Sequence, residues 1–232
     1  MGGDREMRRA VCLLSGGMDS AVATAIARSR GYEVYGLTFN YKQKNIRELD
    51  SAKKLVRYFK IREHKIFNID LRQIGGSALT DELEIPRGRR VEEIVKEGIP
   101  ITYVPARNTI FLGIALSYSE VVDADSIFIG VNSLDSPGYP DCRLEYMEKF
   151  QELANLATKR AVEGKPIRIE YPLINMSKAE IVEKGMELKV PFELTWSCYN
   201  DREKACGECD SCVLRLNGFK EAGYEDPLEY ER

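Results

Sequence analysis

"LLSGGMDS", Leu13–Ser20, decides how the chain is organised. An aliphatic run, "AVCLL" (Ala10–Leu14), leads into two glycines, and an aspartate and a serine follow shortly after. A short, continuously apolar run reads as a strand covered on both faces. The stretch beyond it, "DSAVATAIARSR" (Asp19–Arg30), is rich in alanine. It reads as a helix capped by Asp19 or Ser20 and closed by Gly31. Between strand and helix lies Ser15-Gly16-Gly17-Met18-Asp19-Ser20, where a helix N-terminus offers free N–H groups and partial positive charge. The glycines let the backbone approach an oxygen ligand closely, and Ser15 and Ser20 add hydroxyl donors. Such a loop can cradle phosphate or pyrophosphate. It is not G-x-x-x-x-G-K-[ST], because it lacks the lysine that grips β- and γ-phosphates. Asp19 suits a magnesium ion better than a phosphate. The plain alternative is a tight strand–helix turn with Asp19 or Ser20 as the cap.

The same alternation extends outward from this loop. "EVYGLTF" (Glu33–Phe39), "HKIFNI" (His64–Ile69), "SIFIGV" (Ser126–Val131) and "IRIEYPLI" (Ile167–Ile174) read as strands. "IRELDSAKKLVRYFK" (Ile46–Lys60) places Leu49, Ala52, Leu55, Val56 and Phe59 on one helical face. "TIFLGIALSYSEVV" (Thr109–Val122) and "LEYMEKFQELANLATKRAVEG" (Leu144–Gly164) read as further helices, and "SKAEIVEKGMEL" opens with a capping box, Ser177 to Glu180. Residues 70–104 show turn chemistry and charge with little periodicity, the mark of a functional loop or lid. Repeated strand–helix alternation predicts an α/β fold, doubly wound around a mostly parallel sheet. In such sheets ligands sit at the carboxyl ends of the strands. Residues 1–190 are expected to form the α/β domain that carries the Ser15–Ser20 loop, and 191–232 a small C-terminal segment packed on it.

The 232 residues carry a net charge of -3, which argues against a protein held on nucleic acid by bulk charge. No apolar run approaches the roughly 20 residues that span a bilayer, and "MGGDREMRRAV" lacks the apolar centre of a signal peptide. A soluble, cytoplasmic protein is expected. Four of the six cysteines, Cys198, Cys206, Cys209 and Cys212, crowd near the C-terminus. Cys-x7-Cys-x2-Cys-x2-Cys can place four thiolates around one tetrahedral zinc ion, which would leave no open position and a structural role. An iron–sulfur cluster is the rival reading. Cys12 reads as core, and lone Cys142 as packing or, less simply, as a reactive thiol. The single histidine, His64, at the start of a strand, reads as structural and gives no support to Ser-His or Cys-His catalysis.

S-G-G-x-D-S resembles the signature of the PP-loop ATP pyrophosphatases, which cleave ATP between the α- and β-phosphates and pass AMP to a carboxylate or carbonyl oxygen. Four further stretches narrow the resemblance: "FNYKQ" (Phe39–Gln43), "VPARN" (Val104–Asn108), "GVNSLDSPGYPDCR" (Gly130–Arg143) and "SCYNDREKACGECDSC" (Ser197–Cys212). In this order they look like the 7-cyano-7-deazaguanine synthases, the QueC family, from about Ala10 to Phe219. The family usually carries glycine at 42, histidine at 45 and often glycine at 106, where this chain has Lys42, Asn45 and Ala106.

The resemblance implies an adenine-nucleotide-alpha-hydrolase-like, Rossmann-like fold with structural zinc. It implies a ligase that uses ATP, Mg²⁺, ammonia and 7-carboxy-7-deazaguanine in queuosine or archaeosine precursor synthesis, and a homodimer. Leu14, Ser15, Gly16, Gly17, Met18, Asp19 and Ser20 would then form the ATP loop, with Asp19 at Mg²⁺. Arg107 and Lys178, at predicted helix starts, would neutralise phosphate charge, although Arg107 also suits a surface position and Lys178 a mere place beside the capping box. Tyr139 could stack on the base, Asp141 read its paired donors and Arg143 meet the substrate carboxylate. Otherwise Asp141 caps the following helix. Two other functions stay open. A PP-loop tRNA-modifying (thiolating) enzyme would be expected to show a basic face or extension. A non-catalytic zinc-containing nucleotide-binding module would leave the phosphate loop and residues 70–104 without a task.

Overall fold

The computed structural model describes residues 7–96, 98–134 and 138–231. Within them the chain forms β1 (Arg9–Leu13), α1 (Met18–Ser29), β2 (Glu33–Asn40), α2 (Arg47–Tyr58), β3 (Glu63–Asn68), α3 (Val91–Lys96), α4 (Arg107–Val121), β4 (Ser126–Phe128), α5 (Leu144–Ala157), α6 (Lys159–Val162), β5 (Arg168–Glu170), α7 (Lys178–Glu187) and α8 (Asp210–Glu221). The five strands are all parallel, in the order β3-β2-β1-β4-β5. No described helix is long and apolar enough to cross a membrane.

Alternation along β1 explains the layering, since successive side chains of a strand point to opposite faces. Val11 and Leu13 join one buried cluster with Leu112 and Ala115 of α4 and Met147 and Phe150 of α5. Ala10, Cys12 and Leu14 join the other, with Val22 of α1, Leu55 of α2, Ile181 of α7 and Phe219 of α8. Both faces are covered, so β1 can be apolar from Ala10 to its end, with Arg9 half-exposed at its start. The face predicted for α2 is inward: Leu49, Ala52, Leu55 and Phe59 are buried. The chain runs outward from β1 through β2 to β3, then crosses back to β4 beside β1. This reversal opens a crevice at the carboxyl ends of β1 and β4.

Several local expectations change in the folded chain. Gly17, not Asp19 or Ser20, is the N-cap of α1, and no side chain caps the helix. The predicted helix 144–164 breaks at Thr158, whose extended backbone lets its hydroxyl accept from Ala161 N–H and cap α6. The strands at 126 and 167 are shorter than the apolar runs that announce them. Their flanking residues are buried for other reasons: Ile129 and Ile174 pack in the core, and Val131 enters the crevice wall. The capping box of α7 is present in full.

Two departures from the family pattern fall on backbone that favours glycine. Lys42 has φ 64° and Ala106, the residue before α4, has φ 50°. A non-glycine residue held left-handed costs about 1–2 kcal/mol, and glycine's extra chain entropy costs about 0.5–1. Ala106 is exposed and loses no packing on truncation. Ala106→Gly is therefore expected to stabilise the fold by about 0.5–1 kcal/mol. A rise in the urea midpoint with an unchanged slope checks this, and a fall contradicts it.

The C-terminal segment is clamped rather than merely appended. Arg215 and Asp226 form an ion pair whose side chains are 1% and 3% exposed, and Arg215 also donates to Thr195 Oγ1 and Phe192 O. Removing one member of such a pair typically costs about 3–5 kcal/mol, because the other charge is left buried and unmatched.

Candidate functional site

The crevice between the ends of β1 and β4 is floored by the loop after β1. Gly16 has φ 98°, and a Cβ there would lie 2.1 Å from the backbone oxygen of Glu48. Only glycine allows α2 to pack so closely under the loop. Gly130, just past β4, plays the reciprocal part: a Cβ on it would sit within 2.8 Å of the Asp19 carbonyl and Ser20 nitrogen. The Ser20 hydroxyl accepts from Ser15 N–H at 3.2 Å and donates to Gly17 O at 2.9 Å. The Ser15 hydroxyl donates to Ser20 Oγ at 3.0 Å and accepts from Gly17 N–H at 3.2 Å. The loop is thus fixed by its own hydroxyls around the start of α1. Trp196 N–H donates to Gly16 O at 2.9 Å, binding the C-terminal segment to the underside of the loop.

Leu14, Ser15, Gly17, Met18, Asp19, Ser20, Arg107, Tyr139 and Lys178 all line the crevice. Lys178, the first residue of α7, donates from Nζ to both carboxylate oxygens of Asp19, at 3.0 and 3.1 Å. Two residues 159 positions apart in sequence thereby meet beside the loop after β1. Asn132, beyond β4, holds α7 in place by donating to Leu173 O at 3.0 Å and to Met176 O. Arg107 enters from the start of α4, with its guanidinium 5.8 Å from the centre of the Tyr41 ring. Burial disfavours its charge, but nearby Tyr41, Cys142, Tyr139 and Asp141 outweigh that and keep it firmly protonated.

Two other candidates do not reach the crevice wall. Asp141 is buried, and its Oδ2 accepts Asn108 N–H at 2.9 Å, in the first turn of α4. It caps a helix, but an earlier one than the sequence indicates. The Asn108 amide returns to Asp141 O at 3.2 Å, so the pair locks the orientation of Arg107 next to it. Arg143 is exposed and donates to Pro140 O. Tyr139 does face the crevice, its hydroxyl 2.8 Å from Thr102 Oγ1. Burial, then Asp141, pushes the Cys142 thiol up to about 12, which leaves it a poor nucleophile. His64 bonds Thr38 Oγ1 at 2.8 Å, as a structural histidine does.

Sequence reasoning passed over Glu48. It reads as a solvated position in the first turn of α2, yet its carboxylate faces the crevice with Arg107 and Tyr41 nearby. Burial pushes it up to about 7; Arg107 opposes this and Cys198 adds to it. The available signal was its place in a helix that starts shortly after the carboxyl end of β2, where ligands gather.

The four clustered cysteines converge. Their Sγ atoms all lie within 4.8 Å of one another, and every one of the four residues is buried. A tetrahedron with Zn–S bonds of about 2.3 Å has edges of roughly 3.8 Å, so the set fits a metal ion of that kind. Backbone N–H groups of Asn200 and Cys206 point at Cys198 Sγ, both at 3.4 Å, and Cys209 N–H at Cys206 Sγ at 3.3 Å. Hydrogen bonds from the Cys209 and Cys212 thiols and from this backbone hold Cys198 well below the ordinary thiol range. The cluster is braced from both sides. Asn45 Nδ2 donates to Cys198 O at 2.6 Å, and Arg89 pairs with Asp210 next to Cys209.

Comparison with known proteins agrees with this geometry. The family described as "Queuosine biosynthesis protein QueC" matches residues 9–223. A 7-cyano-7-deazaguanine synthase of Acetivibrio thermocellus is 56% identical over 225 residues, covering 97% of this chain and 98% of its own. One from Thermoplasma acidophilum is 52% identical, covering 98% and 94%. Among solved structures, a 4-thiouridine synthetase–RNA complex with bound ATP superposes with TM-score 0.50 at 20% identity. It covers 92% of this chain and 53% of that one, a likeness of fold alone.

Proposed function

The chain belongs to the QueC family of queuosine biosynthesis proteins, and from that premise we propose that it makes 7-cyano-7-deazaguanine from 7-carboxy-7-deazaguanine, ammonia and ATP. The observation that carries the reading is near-full-length identity above one half to synthases of that name, together with a self-braced phosphate loop beside Asp19, Lys178 and Arg107. The net charge of -3 gives no support to a tRNA-thiolating role, which would call for a basic face.

The chemistry follows from what a carboxylate lacks. Ammonia cannot displace oxide, so one carboxylate oxygen first attacks the α-phosphorus of ATP and expels pyrophosphate. Ammonia then adds to the acyl carbon, AMP leaves with that oxygen, and an amide remains. The amide oxygen attacks a second ATP. That attack expels a second pyrophosphate, and loss of both amide N–H protons and of AMP leaves the nitrile. The N–H groups of the Ser15–Ser20 loop would hold the departing pyrophosphate, and Arg107 and Lys178 would offset the charge that builds on the α-phosphate. Asp19 suits a magnesium ion shared with the phosphates, since Mg²⁺ is commonly held by one or two carboxylates plus substrate oxygens. That ion would act as a Lewis acid on the phosphoryl oxygens. Zinc is the metal that four thiolates favour in the cysteine cluster, with a structural role. By family resemblance the enzyme is a cytoplasmic homodimer whose product feeds queuosine or archaeosine.

This mechanism sends both carboxylate oxygens to AMP. Turnover of substrate labelled with ¹⁸O in the carboxylate is expected to give AMP and pyrophosphate, with one ¹⁸O in each AMP and none in pyrophosphate. Phosphorus NMR reads the isotope shift. ADP and phosphate as primary products, or unlabelled AMP, would exclude the adenylation route.

A further inference from the structure

Among the described residues, three carboxylates lie in or next to the crevice, and two are already engaged. Asp19 is held by Lys178, and Asp141 by the backbone of α4. Glu48 lines the crevice and makes no hydrogen bond or ion pair with any described residue. Glu48 is half-buried, and a carboxylate that faces a crevice with no partner among the described residues is open to the donors of a ligand. Around it the wall is aromatic: Phe39 stacks on Phe111 at 3.9 Å, and Tyr41, Tyr139 and Tyr199 complete the lining. Arg107 supplies a cation to the same space.

A flat ring system that carries both an anionic substituent and two parallel N–H donors suits a crevice that offers a cation, an unpaired carboxylate and aromatic walls. The deazaguanine base is of that kind. Its ring N–H and exocyclic amine form an edge that a carboxylate accepts in a fork, and its carboxylate suits Arg107. We propose that Glu48 is the residue that reads this donor edge of the base, so that it determines specificity for a 2-amino ring. The inference rests on the reaction proposed above. It also reassigns to Glu48 the recognition that the sequence suggested for Asp141, whose carboxylate is turned to α4.

The test is a comparison of two ligands on two proteins by titration calorimetry. The ligands are 7-cyano-7-deazaguanine and its counterpart without the exocyclic amine, 7-cyano-7-deazahypoxanthine. An unmet buried polar group costs about 1–3 kcal/mol, so the wild type is expected to prefer the 2-amino ligand by roughly 10–100-fold. Glu48→Gln loses one acceptor and turns a donor towards a donor. It should bind the 2-amino ligand less tightly and prefer it by less than about threefold, with the Kd for ATP unchanged. A wild-type preference retained in Glu48→Gln overturns the assignment while leaving the proposed reaction intact. So does a wild type that binds both ligands equally, and this arm decides alone if the variant does not fold. A wild type that binds neither base overturns the proposed reaction as well.

Discussion

Gly16→Ala is expected to cost the enzyme both stability and ATP turnover. The new methyl group would stand 2.1 Å from the Glu48 carbonyl oxygen and 2.9 Å from the Ala52 nitrogen. Both are backbone atoms of α2, so no side-chain rotation relieves the overlap. The φ of 98° adds strain for any residue with a Cβ. Together these place the substitution among the severe ones, at about 3 kcal/mol or more. For a chain of this size that corresponds to a fall in Tm of roughly 6–12 °C. What folds must push the loop off α2 by an ångström or so. A misplacement of that size commonly costs about a hundredfold in rate, so kcat/KM for ATP should drop at least that far. Thermal unfolding and pyrophosphate release assays check the two effects. A variant with near-normal values of both would mean that the loop does not hold phosphate in the way described.

Loss of the metal should be as damaging, and should be felt at a distance. Cys209→Ser replaces a thiolate with a hydroxyl that does not ionise near neutral pH. The other three ligands cannot close a tetrahedral site. In small zinc peptides metal binding is worth about 10–16 kcal/mol of apparent free energy. Here the fold has other support, from Arg215 and Asp226 and from α7 packed on α8. The expected result is a protein with little bound metal and a Tm lower by roughly 10 °C or more. Because Trp196 and Asn45 link the cysteine segment to the phosphate loop and to the start of α2, the KM for ATP should also rise. Elemental analysis decides the metal: iron in the wild type, or full zinc loading in the variant, would refute a four-thiolate zinc site.

How much of this was legible depended on whether the cause was local. The strand–loop–helix turn after β1, the capping box at Ser177 and the cysteine cluster are each written in residues close in sequence, and the structure shows the turn at the crevice, the box complete and the four thiols together. The parallel sheet was legible because each strand and its crossover helix repeat one pattern. Asp141 was legible as a cap but not as the cap of α4, since its partner Asn108 lies 33 residues earlier. Glu48 was illegible for the same reason. Its setting is made by Arg107 and Cys198, which only the crossover from β3 to β4 and the return of the C-terminal segment bring near. The break at Thr158 turned on one residue's backbone angles, which periodicity cannot register.

The bond from Trp196 to Gly16 also sets an order of events as the chain is made. Translation delivers Gly16 early and Trp196 some 180 residues later, and at roughly 5–20 residues per second that interval spans about 9 to 36 seconds. During it β1 can pair with β2 and, once Ser126–Phe128 is made, with β4, but the loop after β1 lacks its lower support. The last two cysteines of the cluster, Cys209 and Cys212, follow Trp196 by only 13 and 16 residues. The contact that supports the loop from below and the convergence of the four cysteines therefore arise in the same late interval of synthesis, well after β1 has paired with its neighbours.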